Sequence, residues 1–267
     1  MANSLRDKIT ICIFTHIVNA DTNPFLKNDM LIETIRSVKE DLGLADVRYR
    51  IYCDAYMKKA YPELTKTYYE TILDMIKEAG LDDLALEIVE KTGETLRGNW
   101  ECAIGDMKTP YMMFLEHDWK FIYPINMNKI INTLDNCEKI SYLKFNRFPL
   151  DVRRHPLKSI TNWEWFMETE NDLPKSEIPL SRISFYSGNP HIERVSAMKE
   201  FYIPILELNL PDLYDKSFLE RAIKPLTERC INEYGNDKTH EMWGTYMYGT
   251  EGHKAIVEHT GDWCRKK

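Results

Sequence analysis

No apolar stretch in this 267-residue chain approaches the roughly 18 residues that a membrane span requires. The opening segment, MANSLRDKITICIF, carries an apolar run too short and too soon interrupted for a signal peptide. The cysteines Cys12, Cys53, Cys102, Cys137, Cys230 and Cys264 form no CxxC pair, and several sit inside apolar runs. That spacing argues against zinc-finger chemistry and for reduced core thiols in a cytosolic protein. Positive charge is in deficit. A formal net charge of −7 excludes nucleic acid as the main partner, because phosphate binding needs a basic field. Arg147, Arg153 and Arg154 could still form a local basic patch. There is no internal repeat and no low-complexity linker.

What is present is an ordinary globular composition, 43% hydrophobic and 29% charged, with both signs interspersed. The first half alternates strand and helix. Ile9 to Phe14 reads as a buried strand. Leu31, Ile35, Val38 and Leu42 recur at helical spacing, with Gly43 where a C-terminal cap belongs. Arg48 to Asp54 returns to strand, and Pro62 opens a helix with the face Leu64, Tyr68, Ile72 and Met75, ending before Gly80. Leu86 to Val89 is a third strand, Thr95 to Met107 a helix, and Tyr111 to Leu115 a fourth strand. Strands spaced by helices predict a parallel sheet with right-handed crossovers. Ligands of such sheets bind beyond the carboxyl ends of the strands. Those ends here carry Thr15 and His16, then Asp54, then Glu116, His117 and Asp118.

The second half is less regular. A helix is expected over Met127, Ile130, Ile131 and Leu134, a strand over Ile140 to Phe145, a helix through Phe218, Ala222, Leu226 and Cys230, and a last strand over Ala255 to Val257. The segment from 149 to 190 is rich in Pro, Trp and charge and reads as a lid or binding surface. One catalytic unit over 1–267 is the simplest division, with a ligand-binding half to about 122 and the remainder from 123.

The apolar run Tyr111-Met112-Met113-Phe114-Leu115 stops on two carboxylates one residue apart, Glu116 and Asp118. Their hard oxygens suit Mg²⁺ or Mn²⁺ bridging a diphosphate. The plain alternative is an acidic turn that follows a strand. The sequence His240-Glu241 begins like a zinc-protease helix, but position 244 is Gly, so the histidine pair that would hold zinc is absent.

In its order of elements the chain resembles the GT-A glycosyltransferases, whose N-terminal α/β half ends in an apolar strand followed by D-x-D. Here the motif is E-x-D. The stretch Arg97-Gly98-Asn99-Trp100, with Ala103 and Gly105, resembles the helix before that strand. The resemblance covers residues 8 to 122 and later fragments. It implies a GT-A type, Rossmann-like, mostly parallel sheet flanked by helices, with an irregular C-terminal acceptor-binding half. It further implies a metal-dependent hexosyl- or pentosyltransferase, inverting, of the soluble bacterial or viral type and therefore cytoplasmic (in the host if viral).

By that resemblance the donor is a nucleotide diphosphate sugar, the acceptor a glycan or glycoconjugate, and the cofactor Mn²⁺ or Mg²⁺. Asp118 would bind the metal, Glu116 would meet it through water or contact the ribose, and His259 would be a further ligand. Asp54 would receive the base or ribose, and Thr15, His16, Arg97, Asn99 and His117 would line the nucleotide cleft. Ser187, Asn189, His191 and Trp243 would meet the acceptor, with a helix N-cap at Pro190 as the plain alternative for that loop. Glu241, or its rival Glu233, would deprotonate the acceptor hydroxyl. Two other functions share these features. A sugar nucleotidyltransferase would need the Gly-rich phosphate loop that FTHIVNADTN lacks, and a non-catalytic carbohydrate binder would not need Asp118, Glu241 and His259 to converge.

Overall fold

The computed structural model describes residues 4–15, 28–53, 62–89, 96–150, 167–169, 173, 175–183, 186–209, 219–250 and 252–260. His16 and Asp54 lie outside them.

The first strand, β1 (Ile9–Thr15), is buried at all seven positions. Such a run needs cover on both faces, which parallel neighbours with crossover helices supply. β1 pairs in parallel with β2 (Arg48–Cys53) on one side and β4 (Tyr111–Glu116) on the other, and β3 (Ala85–Val89) extends the sheet beyond β2. Alternate residues then go to opposite layers. Ile9, Ile11 and Ile13 pack with Leu31, Ile35 and Val38 of helix α1 (Asn28–Asp41) and with Ile72 and Ile76 of α2 (Pro62–Glu78). Cys12 and Phe14 face Trp100, Ala103 and Ile104 of α3 (Leu96–Asp106). Burial pushes the Cys12 thiol far up, so it stays protonated and inert.

Helix α2 ends before Gly80, as expected, and that glycine caps it. Gly80 has φ +66°, its N–H donates to Lys77 O, and the next N–H, of buried Leu81, donates to Ile76 O. That is a Schellman arrangement, which favours glycine at the left-handed position.

The second half completes the sheet rather than forming a separate layer. Its order is β3-β2-β1-β4-β9-β6-β10-β8-β7, with β6 (Tyr142–Lys144), β7 (Met167–Thr169), β8 (Leu180–Ile183), β9 (His191–Arg194) and β10 (Thr245–Tyr248). Following the pairings, β8 and β9 run one way and the other seven strands run the opposite way. Helix α4 (Met127–Asn136) covers the α1 face. Helices α5 (Ile203–Asn209) and α6 (Leu219–Trp243) cover the α3 face. A two-stranded antiparallel ribbon, β5 (Trp119–Phe121) with β11 (Val257–His259), lies against α1.

Several expectations are corrected here. The last strand, expected over Ala255 to Val257, runs Val257–His259 and pairs with β5. Among its described residues the segment from 149 to 190 holds two sheet strands, β7 and β8. His191 opens a central antiparallel strand, not a helix N-terminus, because its backbone is taken up by pairing with β4 and β6.

The His240-Glu241 stretch turns the chain from α6 into β10. Gly244 has φ +58°, and a Cβ there would lie 2.3 Å from Lys139 O, so no side chain fits. His240 staples the turn: its carbonyl accepts from Gly244 N–H at 2.8 Å and its Nε2 sits 3.0 Å from Thr245 O. A neutral imidazole donates that bond. Burial, reinforced by nearby Arg182, pushes the His240 imidazole down to about 4. In the unfolded chain it titrates near 6.5. Between those values the unfolded state binds the extra proton, so stability is lost as pH falls from about 6.5 toward 4, by at most about 3 kcal/mol. Denaturant titrations across this window are expected to show a shallower pH slope for His240→Gln than for the native chain. Equal slopes would remove the staple's role.

Candidate active site

Because β1, β2 and β4 are parallel, Thr15, Cys53 and Glu116 end at one edge of the sheet. Thr15 is buried, and Glu116 is half-buried opposite Phe14. The chain leaves β4 through a turn at His117 and Asp118, both buried, before entering β5. His117 N–H donates to Phe14 O at 3.0 Å, extending the ladder by one bond.

The turn is held from two directions. The Thr34 hydroxyl, fully buried on the sheet-facing side of α1, lies 2.8 Å from His117 O and 2.7 Å from Trp119 O. Its single proton is shared between the two carbonyls. From the ribbon, Thr260 reaches Asp118 O with its N–H at 2.8 Å and its hydroxyl at 3.1 Å. These contacts aim the Asp118 side chain at the ribbon's other strand. There His259 Nε2 lies 3.1 Å from Asp118 Oδ2, with the two side chains 6% and 9% exposed. The imidazole is oriented in turn by the Trp119 ring, which it meets edge-on at 4.9 Å. The Arg147 guanidinium lies over the same indole, 5.3 Å from the Trp119 ring centre, and 5.1 Å from that of Phe148.

The pairing of one carboxylate with one imidazole joins an oxygen and a nitrogen donor. Two ligands at about 2.1–2.2 Å from one ion and at right angles to each other are about 3.0 Å apart. The observed separation therefore suits a shared divalent ion as well as a direct hydrogen bond, and a mixed O/N set leans toward Mn²⁺ over Mg²⁺. Among the described residues no cluster of three or more His, Cys, Asp or Glu side chains could hold a metal by itself. The remaining positions on an ion here would fall to ligand oxygens and water.

The other anticipated site residues divide. Asn99 is buried, and its Nδ2 donates to Cys53 O at 3.1 Å, which ties α3 to the end of β2 at the same edge. Arg97 opens α3 and is paired with Glu101 at 2.7 Å. Ser187 and His191 are buried beneath the sheet edge rather than presented at a surface. The Tyr142 hydroxyl bridges Ser187 O and Ser187 N–H, and the His191 ring lies between Phe114 at 4.7 Å and Tyr142 at 4.5 Å. Asn189, half-buried, offers its carbonyl to His191 Nδ1 at 2.6 Å.

Three anticipated residues are not brought to this edge. Trp243 is buried in the α3-side core, edge-on to Phe201 and Tyr202. Glu241 lies just before β10, at the edge where β6 and β10 begin, opposite the edge that bears Asp118. It is exposed and paired with Lys238 at 3.1 Å. Glu233 is exposed two residues ahead of the Gly235 kink. Glu241 thus sits at the edge opposite the Asp118–His259 pair.

Sequence reasoning missed Thr34, Thr260 and Trp119, and gave Arg147 only as part of a local basic patch. Thr34 had a legible signal, a hydroxyl within the apolar stripe of α1. Thr34→Val keeps shape and removes the proton that satisfies two buried carbonyls. A stability loss of about 1–3 kcal/mol is expected from denaturant unfolding. A value near zero would show that the turn does not depend on α1.

No family model matches the chain, and no curated protein matches it in sequence. Among solved structures, S. aureus TarS 1-349 matches with a TM-score of 0.51 at 13% identity, covering 95% of this chain and 60% of that one. The same protein in complex with UDP-GlcNAc matches at 0.50 and 13%, covering 95% and 58%. Mannosyltransferase PcManGT from Pyrobaculum calidifontis, in complex with GDP-Man and Mn²⁺, matches at 0.46 and 11%, covering 92% and 55%. The chain thus spans less than two thirds of each of these. At such identities the likeness shows architecture alone, and that architecture is a GT-A-like α/β fold. No helix among the described residues is long and apolar enough to cross a membrane.

Proposed function

We propose that this protein is a metal-dependent glycosyltransferase that takes a sugar from a nucleotide diphosphate sugar and passes it to a glycan or glycoconjugate. The observation that carries the proposal is the Asp118–His259 pair at 3.1 Å, set where β4 leaves a GT-A-like sheet. Open α/β sheets bind ligands at that edge.

Asp118 and His259 would hold the divalent ion, Mn²⁺ by preference. Bound there, the ion supplies charge neutralisation for the diphosphate that departs with the nucleoside. Thr34 and Thr260 keep the carboxylate oriented, so little reorganisation is needed as charge develops. Asn99 fixes the end of β2, which leads directly into Asp54, the residue proposed to meet the base or ribose. Arg147 adds a positive charge beside the same cluster, suited to phosphate oxygens. Glu116, Thr15 and His117 complete the donor side.

Thermal unfolding with UDP, GDP and CMP, each with and without Mn²⁺, tests this reading. One nucleoside diphosphate is expected to stabilise the chain only when Mn²⁺ is present, by about 2.7 kcal/mol at a hundred times its Kd. Asp118→Asn should retain the fold and lose that shift. A wild-type Mn²⁺-dependent shift in Asp118→Asn, or no shift with any nucleotide, would contradict the proposal.

A further inference from the structure

About 10 Å along the ribbon from His259, at roughly 3.3 Å per residue, lies a second feature. A cavity of ≈ 300 Å³ is bordered by Tyr123, Ile125, Tyr248, His253, Lys254 and Ile256, with Pro124 and Gly252 completing the wall. Its size is at the low end for small-molecule sites, about 300–1,000 Å³, which suits one ring-sized unit. Its floor is apolar, since Ile125 and Ile256 are buried. Its rim is aromatic and basic. Tyr123 is 44% exposed, and Lys254 Nζ stands 5.8 Å from its ring centre. His253 meets the Tyr248 ring edge-on at 5.6 Å.

The charge of this lining runs against that of the molecule. The chain carries −7 overall, yet among the described residues no carboxylate lines the cavity, and the one lysine there, Lys254, brings an ammonium. The cavity is also anchored to the candidate active site by backbone. Asn146 Nδ2 donates to Lys254 O at 2.6 Å, and Asn146 O accepts from the N–H groups of Ile256 and Val257, next to Arg147 and two residues from His259. The cavity is therefore built into the segment that delivers His259.

We infer that this cavity is a binding subsite for an anionic sugar unit of the acceptor, with the ring laid against Tyr123 and Tyr248 and the carboxylate or phosphate facing Lys254. This rests on the transferase reading above and adds to it the class of acceptor. A flat aromatic face accepts the apolar side of a sugar ring, and the ammonium selects for charge. The separation from Asp118 and His259 matches an extended glycan that spans both places.

Saturation-transfer NMR and calorimetry on the full chain, without nucleotide or metal, test the inference with methyl β-D-glucuronide, glucose 6-phosphate and neutral methyl β-D-glucoside. At least one of the two charged sugars is expected to bind about tenfold or more tightly than the neutral one. The comparison between them tells carboxylate from phosphate. Lys254→Ala should abolish the preference for charge, and Tyr123→Ala should weaken all binding; both positions are exposed, so the fold is retained. Equal binding of the neutral sugar, no binding of either charged sugar, or unchanged affinities in both variants would overturn the inference. The nucleotide and Mn²⁺ thermal shifts separate its failure from that of the transferase reading. Charged-sugar binding with no nucleotide shift leaves a sugar site without transfer. A nucleotide shift with no charged-sugar binding refutes the subsite alone.

Discussion

Thr34 and Thr260 grip the three residues that follow β4, and the geometry at this edge depends on that grip. On β4, buried on both faces until its last residue, the acids come only as the strand leaves the core, at Glu116 and Asp118. Once outside, a free loop would lose the precision that binding a ligand atom requires. Here the backbone remains inside, with its carbonyls satisfied by a hydroxyl from α1 and by two donors from Thr260. Only the side chain is released toward the edge. The burial of Asp118 is then tolerated because His259 offsets part of its lost hydration.

This arrangement also explains the two-stranded ribbon. Three residues of β5 pair with three of β11, a ladder too small to stand alone. It survives because Trp119, Phe121, Ile256 and Val257 bury their side chains against α1 and the sheet. Ser37 Oγ accepts from Phe121 N–H at 3.1 Å, adding a second tie from the same helix. The C-terminal segment thus gains its place from packing, and that packing brings a histidine about 140 residues away in sequence to the carboxylate.

The parallel half was legible in the sequence because its signals are local. A seven-residue apolar strand, a helix stripe and a glycine after each of α1 and α2 report their own surroundings. The central strand β9 was not legible. Its sequence, His-Ile-Glu-Arg, places His191 and Glu193 fully inside the protein. They are tolerated there because His191 Nε2 lies 3.0 Å from Glu193 Oε1, while Trp100 Nε1 and the Tyr186 hydroxyl donate to the Glu193 carboxylate at 2.8 and 2.7 Å. Trp100 comes from α3, some 90 residues earlier, so no local pattern announces it. Glu241 shows the converse. Its spacing after the E-x-D strand suited a general base, yet its position was decided by Gly244, which turns the chain at the far edge of the sheet. The Asp118–His259 contact likewise had no local signal, and the expectation that the two would meet came from the GT-A resemblance.

The central claim is that Asp118 and His259 form one metal site that opens onto a diphosphate. Pulsed electron paramagnetic resonance of Mn²⁺ in the presence of the nucleoside diphosphate that binds reads the ion's nearest nuclei directly. A nitrogen coupling of the size expected for a bound imidazole, present in the native chain and absent in His259→Ala, together with phosphorus coupling from the diphosphate, is the predicted result. Phosphorus coupling with no nitrogen coupling in the native chain would show that the ion sits elsewhere and that the Asp118–His259 contact is only a hydrogen bond.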